Sequence, residues 1–274
     1  ETLIESLRGA IQTFPDKRNG SNLRYTMEDV ALGAFSVFFT QCPSFLAHQK
    51  AMEETKGKSN AQTIFGLKKI PSDNHIRTLL DPASPGVVYS VFDDAFQVLD
   101  KRGYIDQFRV SIGDLLISLD GTWFFDSNKI QCDNSNKIKH NNGEITYYHS
   151  VITPVIGRPG SDKVIALPPE FIVPQDGHIK QDCENAAAKR WIQGQGKKYG
   201  PLGVTILGDD LYSKHPICKT LLDNGFNFIL VCKPDSHKTL YEWVEQLEEG
   251  VDRHTLVIRR WNGKRREIYI YRYA

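Results

Sequence analysis

Residues 114–120 read DLLISLD and residues 204–210 read VTILGDD. Each is a short, apolar, β-branched run of the kind that fills a buried strand, and each closes on a carboxylate, Asp120 in the first and Asp209 with Asp210 in the second. Working outward from these two runs gives an element order. Residues 121–125 (GTWFF), 145–156 (ITYYHSVITPVI) and 164–173 (VIALPPEFIV) are rich in β-branched and aromatic residues and predict strands. Residues 181–199 have helical composition, with Cys183, Ala186, Ala187, Arg190 and Trp191, and Gly194 and Gly196 loosening the end. Residues 214–224 predict a helix stopped at Asn224-Gly225. Residues 226–232 (FNFILVC) predict another buried strand, and residues 239–249 a last helix. The order is three strands, helix, strand, helix, strand, helix.

The flanks have other patterns. Residues 1–110 read as helices. Thr26 and Asp29 are placed to cap a run through Val30, Leu32, Phe35, Phe38 and Phe39, and Pro43 and residues 57–59 interrupt it. A helix from Ser72-Asp73 carries Ile76, Leu79 and Leu80 until Pro82 and Pro85-Gly86 stop it. Residues 87–99 form a third, with Val88, Val91, Phe92, Ala95 and Leu99 on one side. At the other end, residues 254–261 and 265–273 alternate across Asn262-Gly263, the strongest short hairpin signal. The expected division is a helical module over 1–110, an α/β domain over 111–250 and the start of a β insertion over 251–274. The chain opens on Glu1 rather than Met and stops at Tyr273-Ala274 in mid-strand, so a longer protein is expected around it.

Composition excludes several classes. The 274 residues are 40% hydrophobic and 24% charged, which argues against disorder. Apolar stretches such as residues 31–40 fall short of the roughly 18–20 residues that span a bilayer, so no membrane partner is expected. A net charge of +1 advertises no polyanion, although a local basic face can hide in a neutral total. Five scattered cysteines without C-x-x-C spacing indicate neither a disulfide framework nor a zinc ribbon. They suit reduced thiols in the cytoplasm, and no signal peptide is read at the start. Neither phosphate-cradling glycine motif occurs, which disfavours nucleotide hydrolysis.

Three strands followed by alternating helix and strand is the order of a ribonuclease-H-like fold, a mixed five-stranded sheet whose first strand lies centrally beside the fourth. Asp120 and Asp209, 89 positions apart, would then sit side by side. Close carboxylates repel unless a cation neutralises them, and oxygen-only ligands favour Mg²⁺ or Mn²⁺. Two such ions about 3.5–4 Å apart serve phosphodiester chemistry. Taken singly, each Asp reads first as a turn residue or helix cap, and Asp120-Gly121 is a favourable turn dipeptide; the pair, each closing an apolar strand in the right order, is what points to chemistry. Glu184, opening the helix between the third and fourth strands, is a further candidate metal ligand, against the ordinary preference for acids at a helix N-terminus. Cys132, His140 and His149 suggest a metal knuckle only weakly, because Ser135 stands where a second cysteine is needed.

The segments LISLDGTWFF, YYHSVITPVI, KQDCENAAAKRWI and LGDDLYSKHPICKTLLDNGFNFILVCKPDSH resemble DDE transposases of bacterial insertion sequences, over roughly residues 111–249. In that family the first acid stands in a D-G-T pattern, matching Asp120-Gly121-Thr122. The second stands in D-x-x-F/Y, matching Asp209 through Tyr212, with Asp210 the runner-up. The resemblance implies a ribonuclease-H-like catalytic domain, two Mg²⁺ or Mn²⁺ ions, metal-dependent cleavage at transposon ends and strand transfer to target DNA. The partners it implies are double-stranded DNA and a second copy in a homodimer. Lys137, Lys139, Arg158, Lys163, Lys189, Arg190, Lys197 and Lys198 would line the DNA path. The family's third acid, a Glu in a Tyr-Arg-Glu-Lys type signature, has no match here. Glu242 and Glu245 lack the Arg and read as a solvated helix face, so the third acid is expected beyond Ala274. The competing readings are a stand-alone nuclease and a non-catalytic DNA-binding or scaffold protein.

Overall fold

Thr26 and Asp29 cap the helix they were expected to cap. The Thr26 hydroxyl accepts the Asp29 N–H at 3.0 Å, and the Asp29 carboxylate accepts the Thr26 N–H at 2.9 Å, so two orphan donors are satisfied reciprocally. The structure, a computed structural model, describes residues 2–20, 23–55, 58–67, 69–174 and 180–273. Glu1, Gly57, Ala274 and the side chain of Cys183 lie outside the described residues. Helices α1 (Thr2–Ile11), α2 (Met27–Phe39), α3 (Phe45–Thr55), α4 (Asn60–Thr63) and α5 (Asp73–Leu80) enclose one apolar core that includes Ile11, Val30, Leu32, Met52, Phe65 and Ile76.

Helix α6 (Tyr89–Lys101) joins this module to the rest of the chain. The apolar face expected on it, Val88, Val91, Phe92, Ala95 and Leu99, is only half-buried. It looks across a cavity of about 980 Å³ toward Leu3, Ile4 and Leu7 of α1. The residue it buries is Phe96, which enters the core of the α/β domain together with Ile105 from the following turn. Residues N-terminal to the expected boundary at 110 therefore pack under the sheet. Polar ties run both ways from α6, from Ser6 to Asp94 and from Lys198 to Asp93.

The α/β domain is a mixed five-stranded sheet in the order β6-β5-β1-β8-β9. Its strands are β1 (Leu115–Ser118), β5 (Val155–Gly157), β6 (Val164–Ala166), β8 (Val204–Gly208) and β9 (Asn227–Leu230). β1, β8 and β9 are mutually parallel, while β5 runs antiparallel to both β1 and β6. The three strands expected from sequence continue past this sheet into a second one, made of β2 (Gly121–Ser127), β3 (Asn136–Lys139), β4 (Ile145–Ile152) and β7 (Glu170–Ile172). Each long strand breaks where the two sheets meet. Pro154, Pro168 and Pro169 stand at two of the breaks and have no N–H for a regular ladder. Single hydrogen bonds carry the pairing across, Thr153 N–H to Asp120 O at 3.2 Å and Leu167 N–H to Pro154 O at 3.0 Å.

Helix α7 (Lys180–Tyr199) is the crossover that parallel pairing of β1 with β8 requires. Ala187 and Ala188 let it approach the sheet closely, while Trp191, Ile192 and Tyr199 fill the core. Trp191 donates to Pro168 O at 2.8 Å, and with Tyr199 it is core packing rather than a base-stacking surface. Helix α8 (His215–Asp223) ends at Gly225, whose φ of +77° suits glycine. Helix α9 (Lys238–Glu245) follows β9, and the hairpin β10 (His254–Trp261) with β11 (Arg266–Tyr273) turns at Asn262-Gly263 as expected. One face of the five-stranded sheet carries Leu115, Ile117 and Ile206 into the core. On the other, Ile229 (62%) and Val231 (55%) are exposed. No described helix is long and apolar enough to cross a membrane.

Ile117 is fully buried in the central strand. Ile117→Ala should lower unfolding stability by about 2–5 kcal/mol in a urea titration, since it removes buried apolar atoms and leaves a cavity in the core.

Candidate functional site

The register decides the site. Leu115 lies opposite Val204 and Ser118 opposite Leu207, and the Leu119 N–H extends the pairing to Leu207 O at 2.9 Å. The strands run the same way, so Asp120 and Asp209 emerge together at their carboxyl ends. In open α/β sheets that edge is where ligands bind. Both aspartates are exposed. Asp209 also shapes its own turn: Oδ1 accepts the Leu211 N–H at 2.9 Å, and its carbonyl accepts the Tyr212 N–H at 3.2 Å.

That turn sends Tyr212 back into the core, where its hydroxyl donates to Glu184 Oε1 at 2.8 Å. Glu184 sits near the start of α7 and packs against the backbone that follows Asp120. A Cβ built on Gly121 would stand 2.6 Å from both its carboxyl carbon and Oε1. Burial raises the Tyr212 pKa far above the ordinary phenol range. The negative charges of Glu184, Asp209 and Asp120 push it the same way, in that order. Of the three expected ligands, Glu184 bonds this buried phenol directly, while Asp120 and Asp209 act on it only through their charge. Among the described residues, no three His, Cys, Asp or Glu side chains stand closely enough together to hold a metal ion. The donor set nevertheless suits a hard cation: every side-chain atom offered is a carboxylate oxygen, and Gly121 leaves Glu184 room at the strand.

Asp210, the runner-up ligand, is differently employed. Its carboxylate accepts the Lys233 N–H at 2.6 Å and the Ser236 hydroxyl at 2.6 and 2.7 Å, and lies 3.5 Å from His237 Nε2. These bonds, Ser236 first and the Lys233 amide second, hold its pKa below the usual aspartate value. His237 is also 2.6 Å from the Ser213 hydroxyl, so the segment after β9 is pinned to the turn after β8. Of the two neighbouring acids, one faces the site and the other ties down the loop beside it.

The remaining candidates scatter. Cys132 Sγ and Ser135 Oγ approach His149 Nε2 at 3.5 and 3.3 Å, but His140 turns away to Thr146 at 2.8 Å. His149, half-buried, packs against Phe124 and Phe125, and burial lowers its pKa. Glu242 and Glu245 are exposed on α9. Of the expected DNA-path cations, Arg158 is tied to Gln107 O, Arg190 to Glu170 and Phe171 O, and Lys198 to Asp93. The sequence reading missed Tyr212 and Gly121 as parts of the site, although both stand in the motif positions quoted above. No protein-family model matches the chain, and no curated protein matches its sequence.

The Asp210 clamp has a checkable pH dependence. A carboxylate with a depressed folded-state pKa stabilises fully above its unfolded value, and loses that contribution as pH falls through the folded one. Amide-exchange protection at Lys233 should therefore hold at neutral pH and fall in acid, below about pH 4. Asp210→Ala should remove that protection at neutral pH; undiminished protection in the variant would contradict the clamp.

Proposed function

We propose that this chain carries part of the catalytic apparatus of a DDE transposase, a ribonuclease-H-like domain that cuts DNA at transposon ends and joins it to target DNA. The observation that carries the reading is the parallel pairing of β1 with β8, which ends Asp120 and Asp209 at one edge. The sheet order agrees with it. The antiparallel β6 and β5, the central β1, then β8 and β9 reproduce the strand order that the resemblance implies. Glu184 beside Gly121 adds a carboxylate where ribonuclease H itself places one.

On this reading Asp120 and Asp209 are the principal ligands and Glu184 supplements them. When bound, Mg²⁺ or Mn²⁺ activates the attacking water or 3′ hydroxyl and stabilises the leaving oxygen of the phosphodiester. The protein's own work is geometric. Strand ends fix where the two aspartates start, the Asp209 turn limits its carboxylate's swing, and the Asp210 clamp steadies the loop beside it. These 274 residues supply two of the family's three acids, and the Tyr-Arg-Glu-Lys signature is not among them. The partners proposed are duplex DNA and a second copy of the chain, since two ends must be cut and joined together.

Calorimetric titration with Mn²⁺ tests the reading. The wild-type chain should bind, and a double variant Asp120→Asn, Asp209→Asn should lose the binding. Equal binding by both, or by neither, would move this chain to a scaffold role.

A further inference from the structure

Tyr212 has no part in the chemistry proposed above, yet it is placed like a component of it. It is 1% exposed, three residues after Asp209, and its hydroxyl reaches Glu184 Oε1 at 2.8 Å. Glu184, at 8% exposed, is the one carboxylate among the described residues that is this deeply buried. Burying a carboxylate is costly unless its oxygens are satisfied. From the opposite side the carboxylate presses on Gly121. A Cβ there would meet the carboxyl carbon and Oε1 at 2.6 Å and Oε2 at 2.9 Å, closer than unbonded atoms come. Glu184 is therefore gripped between a phenol and a bare Cα, directly after Asp120 in the chain.

We infer that Tyr212 is a positioning residue of the metal centre, its hydroxyl and the missing side chain of Gly121 together fixing Glu184 as a third carboxylate beside Asp120 and Asp209. The inference rests on the metal-site reading of the preceding section and names a residue which that reading does not. Phenylalanine would fill the same core volume, so the hydroxyl answers to Glu184 rather than to packing. The Tyr212 hydrogen bond to Oε1 constrains the carboxylate's rotation and hence the direction of its oxygens. Outer partners of this kind tune metal affinity by about 10–100-fold.

The test counts free Mn²⁺ by electron paramagnetic resonance in the wild type, Y212F, E184Q, the Y212F/E184Q double variant and G121A, with folding checked by circular dichroism. Y212F should weaken Mn²⁺ binding by about tenfold or more. E184Q should weaken it too, and adding Y212F to E184Q should cost nothing further, because a residue acting through another is not additive with it. G121A, which pushes the carboxylate from the other side, should show the same loss. A folded Y212F with wild-type affinity, while D120N/D209N has lost binding, would overturn the inference and leave the metal site standing. Should Y212F fail to fold, wild-type affinity in G121A would overturn it in the same way. A wild type that binds no Mn²⁺, or a D120N/D209N variant that binds normally, would remove the metal site and the inference with it.

Discussion

The parallel pairing of β1 with β8 is the contact on which the rest of this molecule depends. It joins segments 89 positions apart, and parallel strands cannot be joined by a tight turn, so a long crossover must intervene. Helix α7 fills that requirement and pays with its side chains, Ala187 and Ala188 for closeness, Trp191 and Ile192 for volume. Ile117 and Ile206 lie opposite each other in the pairing and are both buried, so a register slip of one residue would turn apolar side chains outward. The same register sets Asp120 and Asp209 at a common edge. The arrangement of the carboxylates follows from the packing of the core.

Carboxylates brought to one end of a sheet repel one another, and the structure distributes that cost by exposure. Asp120 and Asp209 remain in water, where their mutual repulsion is screened. Glu184 does not, and Tyr212 supplies the hydrogen bond that water would otherwise give. Asp210 is neighbour to Asp209 in sequence but its charge is spent on Lys233, Ser236 and His237. Adjacent acids on a turn point in different directions, and here that separates an edge facing solvent from a clamp on the next loop.

The sequence was most legible where burial enforces a period. The apolar runs at 114–120 and 204–207, the cap at Thr26 and Asp29, and the Asn262-Gly263 hairpin all stand where local chemistry puts them, because each is decided by neighbouring residues. The strand at 226–232, expected to be buried, instead forms the sheet edge and leaves Ile229 and Val231 exposed. The breaks in the three long strands were not read, although Pro154, Pro168 and Pro169 mark two of them. The short strand β3 was missed because NKIK is polar; it pairs antiparallel with β4, and the Lys137 ammonium lies over the Tyr147 ring. On α6 the apolar stripe was legible, but not which side of the helix would be buried. A helix between two cores can bury either side, and Phe96 faces the larger one. For the site, the two aspartates were legible as strand ends. The roles of Asp210 and Tyr212 were not, since each depends on a partner more than 20 residues away that no spacing announces.

On the function proposed above, one strand pairing builds a cation site from Asp120, Asp209 and Glu184. Crystals of the chain grown with Mn²⁺ and measured at the manganese absorption edge would test it most directly. An anomalous peak is expected at the carboxyl ends of β1 and β8, with oxygens of Asp120 and Asp209 within about 2.5 Å and Glu184 facing it while still bonded to Tyr212. No peak at that edge, or manganese bound elsewhere with the aspartates apart, would contradict it.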